Sequence, residues 1–294
     1  MHIPVLYHES LDALRIQSDG VYVDGTLGGA GHARGIVEQL SAEGNFIGCD
    51  VDSGALIRAE QSLSEYPCKK HLYEKNFKEI PDIVTDLGVK IDGVLLDLGW
   101  SSFQIADETR GFSFQVDGPL RMTLSDTVTD ETITAWDIIN TWSEETLADI
   151  FYAYGDETAS RKIARAIVAE RKIRPFNTTL QLADFIKQLM TKGRHTKTHP
   201  ATRIFQALRI TVNDEYGVLN SFLEHIISVM NQRGRIAIIT FHSGEDRIVK
   251  HVFRTWADQG LGKVLTKKPI IPTDTELSEN PRARSAKLRI FEIL

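Results

Sequence analysis

Residues 23–32 read VDGTLGGAGH, set between the apolar run Gly20–Asp24 (GVYVD) and a helical pattern over Gly31–Leu40. Gly25, Gly28, Gly29 and Gly31 let the backbone turn sharply and come close to a ligand, because no Cβ stands in the way. Asp50 ends the next apolar run, Asn45–Asp50 (NFIGCD), 19 residues after Gly31. A carboxylate there can accept hydrogen bonds from both ribose hydroxyls of a nucleotide-like cofactor. Strand, glycine turn, helix and a second strand ending in an acid predict a doubly wound α/β sheet that holds an adenosine-bearing ligand. A glycine loop kept only for packing is the blander reading.

Outward from this unit the alternation continues, with a helix over Ser53–Ser64, a strand near His71–Glu74, a helix near Lys78–Leu87 and a strand over Ile91–Leu98 (IDGVLLDL). Strands separated by helical patterns imply a parallel sheet covered on both faces. After Gln104 the strand pattern stops for about a hundred residues of turns and helices. Helix starts stand out at Ser143, before Glu144 and Glu145, and at Thr178, which has Gln181 at capping-box spacing. Alternation then resumes: a helix over Leu219–Met230 that Gly234 can stop, a strand over Arg235–Phe241 (RIAIITF), a helix capped by Ser243, and strands near Lys263–Thr266 and Lys287–Ile293. The expected organisation is one α/β domain, residues 1–104 and 210–294, interrupted by a helical insert over residues 105–209.

Composition bounds what this architecture can be. The 294 residues are 42% apolar and 25% charged, with a formal charge of −6, an ordinary globular balance. No apolar run approaches the ~20 residues of a membrane span, and the N-terminus lacks a secretory pattern, so no membrane association is expected and a cytoplasmic location is. Cys49 and Cys68 have neither disulfide nor metal-ligand spacing and read as buried free thiols; no metal site is expected.

Charge is unevenly placed. Residues 122–160 hold nine acids and no Lys or Arg, whereas residues 161–209 hold twelve Lys/Arg and two acids. A local basic segment can attract a polyanion even in an acidic protein, although such a run can equally be a solvated helix face.

The loop also discriminates among cofactors. Thr26 and Leu27 after Gly25 break the Gly-x-Gly-x-x-Gly spacing of dinucleotide sites, and Asp24 would repel a pyrophosphate. Asp24 suits instead the cationic methionyl end of S-adenosylmethionine. Asp97, in LDLGWSS at the end of the fourth strand, faces the same crevice. It could contact the cofactor or accept a hydrogen bond from a substrate amine; a cap on the following turn is the plainer alternative.

Six segments, VDGTLGGAGH at Val23, LDLGWSSFQ at Leu96, RGFSFQVDGPL at Arg110, HPATRIFQALRI at His199, FHSGEDRIVK at Phe241 and NPRARSAKLRI at Asn280, resemble the RsmH (MraW) methyltransferases. The resemblance implies a class I S-adenosylmethionine-dependent methyltransferase fold, Rossmann-like with a mostly parallel sheet and an inserted α-helical domain. It implies methyl transfer from S-adenosylmethionine to the N4 amine of a cytidine in the decoding region of 16S ribosomal RNA. The small ribosomal subunit becomes the expected partner, and a homodimer is suggested. Carried over by position, the cofactor contacts are Ala30, Gly31, His32, Asp50, Phe77, Asp97 and Gln104, and Asp97 is the expected catalytic group. Trp100 or Phe103 is placed to receive an unstacked cytidine, unless these rings only pack the insert. Phosphate contacts are expected from Arg161, Lys162, Arg165, Arg171, Lys172, Arg174, Lys192, Arg194, Lys197 and Arg203, with Arg282, Arg284 and Lys287 adding to them. The sequence departs from the family pattern at Trp100 and Phe103, at Arg121-Met122-Thr123-Leu124, and at Gly244 where Leu is usual. Two other readings stay open from residues alone: an NAD-dependent oxidoreductase, and an RNA-binding factor that keeps the fold without turnover.

Overall fold

Every apolar run of the first hundred residues becomes a strand of one sheet. In the computed structural model, which describes residues 4–190 and 199–294, the strands are β1 (Val21–Asp24), β2 (Asn45–Asp50), β3 (Lys69–Glu74), β4 (Ile91–Asp97), β5 (Met230–Thr240), β6 (Gly262–Val264) and β7 (Lys287–Ile293). The helices are α1 (Tyr7–Leu14), α2 (Gly31–Val37), α3 (Ser53–Leu63), α4 (Ile80–Asp86), α5 (Ser102–Ala106), α6 (Ala135–Thr141), α7 (Glu144–Ala153), α8 (Ser160–Arg171), α9 (Thr179–Met190), α10 (Thr202–Val212), α11 (Glu215–His225), α12 (Ser243–Asp258) and α13 (Asp274–Glu279). The described residues form two units, one made of the chain up to Ser101 together with Tyr216–Leu294, the other of Ser102–Glu215.

In the first unit the strand order is β3-β2-β1-β4-β5-β7-β6. The pairs among β1 to β5 are parallel, and β7 runs antiparallel between β5 and β6. From β1 the chain steps outward to β2 and β3, then returns to lay β4 and β5 on the other side. The direction of winding therefore reverses between β1 and β4, the place where doubly wound sheets open a ligand crevice.

Alternate side chains of each strand feed two cores. Tyr22, Leu95, Ala237 and Ile239 pack on one face with α1, α2 and α3; Val23, Val94, Leu96, Ile236 and Ile238 pack on the other with α4, α11 and α12. Burial on both faces is why these strands read as continuous apolar runs instead of alternating ones. Cys49 and Cys68 are buried free thiols, and burial pushes both thiol pKa values up.

Several element ends shift from the expected ones by a few residues, and two of the shifts change a residue's role. The helix expected to run to Met230 ends at His225, a short 3-10 turn covers Ile226–Val229, and β5 starts at Met230. Gly234 therefore lies inside a strand, at a register shift where Ile91 pairs with Met230 but Gly93 pairs with Arg235. The apolar spacing of Ile226, Ile227 and Met230 suits a helix, a tight turn or a strand start, so periodicity alone could not divide them. The cap of α12 is His242, not Ser243: the His242 ring accepts the Glu245 N–H, while Glu245 Oε2 accepts the N–H groups of Phe241 (2.9 Å) and His242 (3.3 Å).

The second unit is helical around its own core, which includes Leu120, Ile138, Leu147, Phe151, Ile163, Ile167, Leu182 and Leu208. Ser143 caps α7 through Thr146 N–H at 3.1 Å, and Thr178 and Gln181 cap α9 reciprocally. Asn213 clamps the 122–124 loop, accepting from Leu124 N–H and donating to the Met122 carbonyl, each at 2.8 Å. No described helix is long and apolar enough to cross a membrane.

Candidate functional site

Four parallel strands of the first unit end in an acid, and apart from the exposed Glu74 of β3 these are Asp24, Asp50 and Asp97 on β1, β2 and β4. The sheet order sets β1 between the other two, so the topology itself gathers the carboxyls at one edge of the crevice.

The glycine loop is held closely against the sheet. A Cβ on Gly25 would lie 2.4 Å from Leu96 Cδ2, and one on Gly31 would lie 2.3 Å from Pro4 Cγ, so neither position has room for a side chain. Gly28 (φ 48°) and Ala30 (φ 59°) turn the chain through the left-handed region. Ala30 occupies the N-cap of α2 and offers no side-chain oxygen of its own to the first turn. Asp50 organises this loop directly: its Oδ2 accepts from Gly28 N–H (2.8 Å) and its Oδ1 from Asp52 N–H (2.9 Å). Arg58 braces the same turn, donating from Nε to the Gly28 carbonyl at 3.1 Å while pairing with Asp52.

Asp24 and Asp97 have the more unusual surroundings. Asp24 is buried; one oxygen accepts from Thr26 N–H at 3.0 Å, and Oδ2 has no hydrogen-bonding partner among the described residues. Asp97 is fixed through its backbone, whose N–H donates to Thr26 Oγ1 at 2.7 Å, and its Oδ1 is likewise buried without a partner among the described residues. The His32 ring donates from Nε2 to the Val5 carbonyl at 3.0 Å, since a carbonyl can only accept, and this turns Nδ1 toward Asp97 Oδ2 at 3.7 Å. Burial first, with Asp24 and Glu245 as like charges, pushes the Asp97 pKa up to about 8. Burial also pushes Asp24 up to about 7, against the Thr26 donors that favour its charged form, and raises Asp50. Three carboxyls that resist ionisation, two of them with an orphaned buried oxygen, form a site energetically incomplete without a cation or a set of donors.

The remaining expected site residues are placed as follows. Phe77 opens a short 3-10 turn, half-buried, with its ring edge-on to Phe222 at 5.7 Å. Trp100 is 40% exposed in the first unit, and Phe103 is 45% exposed in the second. Gln104 is buried in the second unit and donates to the Leu124 carbonyl at 3.1 Å.

The basic residues divide into two kinds. Arg161 and Arg165 on α8 keep about three quarters of their side-chain surface exposed, at 75% and 77%. They face the acidic α7 only loosely, Arg161 at 3.9 Å from Asp149 and Arg165 at 3.3 Å from Glu144. Arg203 is also exposed, 3.8 Å from Glu157. Arg171, by contrast, is spent on structure: its guanidinium donates to the Ile139 and Trp142 carbonyls, both at 2.6 Å, closing the C-terminus of α6. Lys287 pairs with Asp246 at 3.2 Å. Arg121 is turned onto its own loop, donating to Thr123 Oγ1 and the Asp126 carbonyl. Lys192, Arg194 and Lys197 lie outside the described residues.

Sequence reasoning did not single out Thr26, Arg58, Tyr216 or His242. Thr26 had a local signal, since Asp-x-Thr after a strand is an Asx-type turn; packing alone brings Arg58 to the glycine loop and sets Tyr216 and His242 together beyond the end of β5.

The MraW methylase family matches residues 1–294. The ribosomal RNA small subunit methyltransferase H of Clostridioides difficile (strain 630) is 44% identical over 308 residues, covering 99% of this chain and 98% of that protein. The protein of the same name from Brevibacillus brevis is 44% identical over 310 residues, covering 100% and 98%. Among solved structures, an rRNA methylase from Streptococcus thermophilus aligns over 100% of this chain and 99% of its own with a TM-score of 0.47 and 13% identity. With a family match from the first residue to the last and 44% identity across nearly the whole of both relatives, the chain belongs to the MraW methylase family.

Proposed function

We propose that this chain transfers a methyl group from S-adenosylmethionine to the exocyclic N4 amine of a cytidine in the decoding region of 16S ribosomal RNA. The name shared by its relatives, ribosomal RNA small subunit methyltransferase, supports the substrate class. The observation that carries the chemistry is the pair of orphaned carboxyl oxygens, Asp24 Oδ2 and Asp97 Oδ1, at the ends of β1 and β4. Such oxygens fit a ligand with fixed positive charge and ammonium donors, and they disfavour the pyrophosphate of a dinucleotide. When bound, S-adenosylmethionine supplies an electrophilic methyl group on a sulfonium. Asp24 would hold its cationic end, the backbone of Ala30, Gly31 and His32 would line it, Asp50 would take the ribose hydroxyls, and Phe77 would lie beside the adenine. Asp50 can do so while bracing the loop, because each carboxylate oxygen carries a second lone pair. Gln104 belongs to the same set by position.

An exocyclic cytosine amine is a poor nucleophile because its lone pair is conjugated with the ring. Asp97, as carboxylate, accepts an amine hydrogen, which localises the lone pair, and then takes the proton that the alkylated nitrogen must lose. Carbonyls of Leu98–Ser101 orient the second amine hydrogen. Trp100 or Phe103 stacks on the unstacked base, and the neighbouring side chains exclude water. The direct test is transfer of labelled methyl to small ribosomal subunits from cells lacking the enzyme. N4-methylcytidine identified by mass spectrometry is expected; label in another nucleoside, or none, overturns the proposal.

The RNA itself would be held by Arg161, Arg165, Arg194 and Arg203. The carboxylate partners of Arg161 and Arg165 are exposed, and Arg203 holds Glu157 only at 3.8 Å while donating to the Asp156 carbonyl at 3.2 Å; exposed pairs of this kind contribute little and yield readily to phosphate. Reversing Arg161, Arg165 and Arg203 to Glu together should weaken RNA binding regardless of sequence and reduce the slope of log K against log salt by about 2 or more. Cofactor affinity should stay unchanged in the same protein. An unaltered salt slope would make this face a solvated one only.

A further inference from the structure

The departure at Gly244 has a steric cause in the first unit. A Cβ on Gly244 would lie 1.7 Å from Tyr216 Oη and 2.6 Å from Tyr216 Cζ, so the phenol occupies the space that any side chain at 244 would need. Where the family resemblance puts Leu, this chain seats a hydroxyl.

The hydroxyl is seated at Gly244, just past the end of β5, the strand that flanks Asp97's strand β4 on the side away from β1. Asp97 pairs with Ile239 across β4 and β5, and the two strand-end loops stay together, since a Cβ on Gly99 would lie 3.8 Å from Phe241. His242 follows Phe241, and its ring lies 5.8 Å from that of Tyr216, tilted by 44°. His242 Nδ1 accepts the Glu245 N–H at 3.4 Å, so the ring is neutral with its hydrogen on Nε2, 3.2 Å from Glu245 Oε1. Glu245 in turn is close enough to raise the Asp97 pKa. Glu245, His242 and Tyr216 thus form a chain of neighbours beyond the end of β5, beside the strand end that carries Asp97. Asp24 and Asp50 lie on the opposite, cofactor side of Asp97.

Resting on the proposed cytidine-N4 transfer, we infer that Tyr216, admitted by Gly244, is a positioning residue for the acceptor base, donating its phenolic hydrogen to ring N3 while Asp97 accepts from the adjacent N4 amine. Along the edge that pairs in a duplex, cytosine presents a donor at N4 and an acceptor at N3. A carboxylate at the end of β4 and a phenol beyond the end of the adjacent β5 match that pattern, and together they fix the amine's orientation before transfer. A leucine at 244 could not coexist with this hydroxyl, so positions 216 and 244 act as a pair.

The test is a cycle between one atom of the RNA and one atom of the protein. Wild type and Tyr216→Phe, each verified as folded by an unchanged Tm and a cofactor Kd within about twofold by calorimetry, are assayed on RNA bearing cytidine or 3-deazacytidine at the target. The deaza base keeps the amine and lacks N3. The penalty in kcat/KM for removing N3 should be about 5- to 10-fold larger in wild type than in Tyr216→Phe, the size of one neutral hydrogen bond. Equal penalties in the two proteins overturn the inference. If wild type forms no N4-methylcytidine at all, the underlying function falls and this inference with it. As a second check, Gly244→Leu should reproduce the kinetics of Tyr216→Phe on cytidine RNA, because it evicts the same hydroxyl.

Discussion

Replacing Asp97 by Ala should lower single-turnover methyl transfer by about 10²- to 10⁴-fold, the range set by loss of a positioned proton acceptor. Asp97 is held by its own backbone N–H on Thr26 Oγ1 at 2.7 Å, so the side chain can be removed without releasing the strand end. Its buried Oδ1 has no partner among the described residues, so truncation breaks no hydrogen bond at that atom. The folded protein should therefore survive the change, and the loss should appear in kcat. Asp97→Asn sharpens the test, because an amide oxygen can still accept the amine hydrogen but cannot take its proton. Near-normal turnover in either variant, with cofactor binding retained, would remove Asp97 from the chemistry.

The second large effect is at Asp24, and it has opposite signs in the free and liganded protein. Burial raises the Asp24 pKa from 3.8 to about 7. Below pH 3.8 the group is protonated in both folded and unfolded chains. Between there and pH 7 the unfolded chain ionises while the folded one holds its proton, so rising pH costs stability until the folded group also ionises. The loss amounts to at most about 4 kcal/mol, from 1.36 kcal/mol per pH unit. Asp24→Asn should then raise the Tm of the ligand-free protein at pH 8 by several degrees and change it little at pH 4. The same variant should bind S-adenosylmethionine at least about tenfold more weakly, since a fixed cation loses its buried counter-charge. In the wild type, affinity should climb between pH 6 and 8, because binding below pH 7 must expel the Asp24 proton. Calorimetry in buffers of different ionisation enthalpy reads that proton directly. A pH-independent affinity in the wild type, or an Asn variant that binds normally, would show that Asp24 does not face the cation.

Both effects come from residues that were visible in the sequence, but for unequal reasons. The runs Asn45–Asp50 and Lys287–Ile293 are strands with the same bounds in sequence and structure: the first is almost wholly apolar between its ends, and the second keeps its charged Arg289 and Glu292 buried against Asp246 and Arg235. The helix expected to end at Gly234 could not be bounded, since Ile226, Ile227 and Met230 satisfy three local conformations and the pairing of Met230 with Ile91 decides among them. Arg171 and Arg121 illustrate a different limit. A guanidinium in a basic or departing stretch looks available to phosphate, yet one closes the end of α6 and the other its own loop.

The sequence by itself determined the doubly wound beginning, the glycine loop and the three acids, because each depends on short-range rules: strand–helix alternation, absent Cβ atoms, and a carboxylate at a strand end. Tertiary structure alone decided what state those acids are in. Their raised pKa values come first from burial and then from like charges brought near by the sheet, Asp50 of β2 acting on Asp24 and Asp24 of β1 acting on Asp97 from about seventy residues away in the chain. It alone also set Tyr216 against Gly244, a steric exclusion between the first turns of α11 and α12 that neither residue announces in its own neighbourhood.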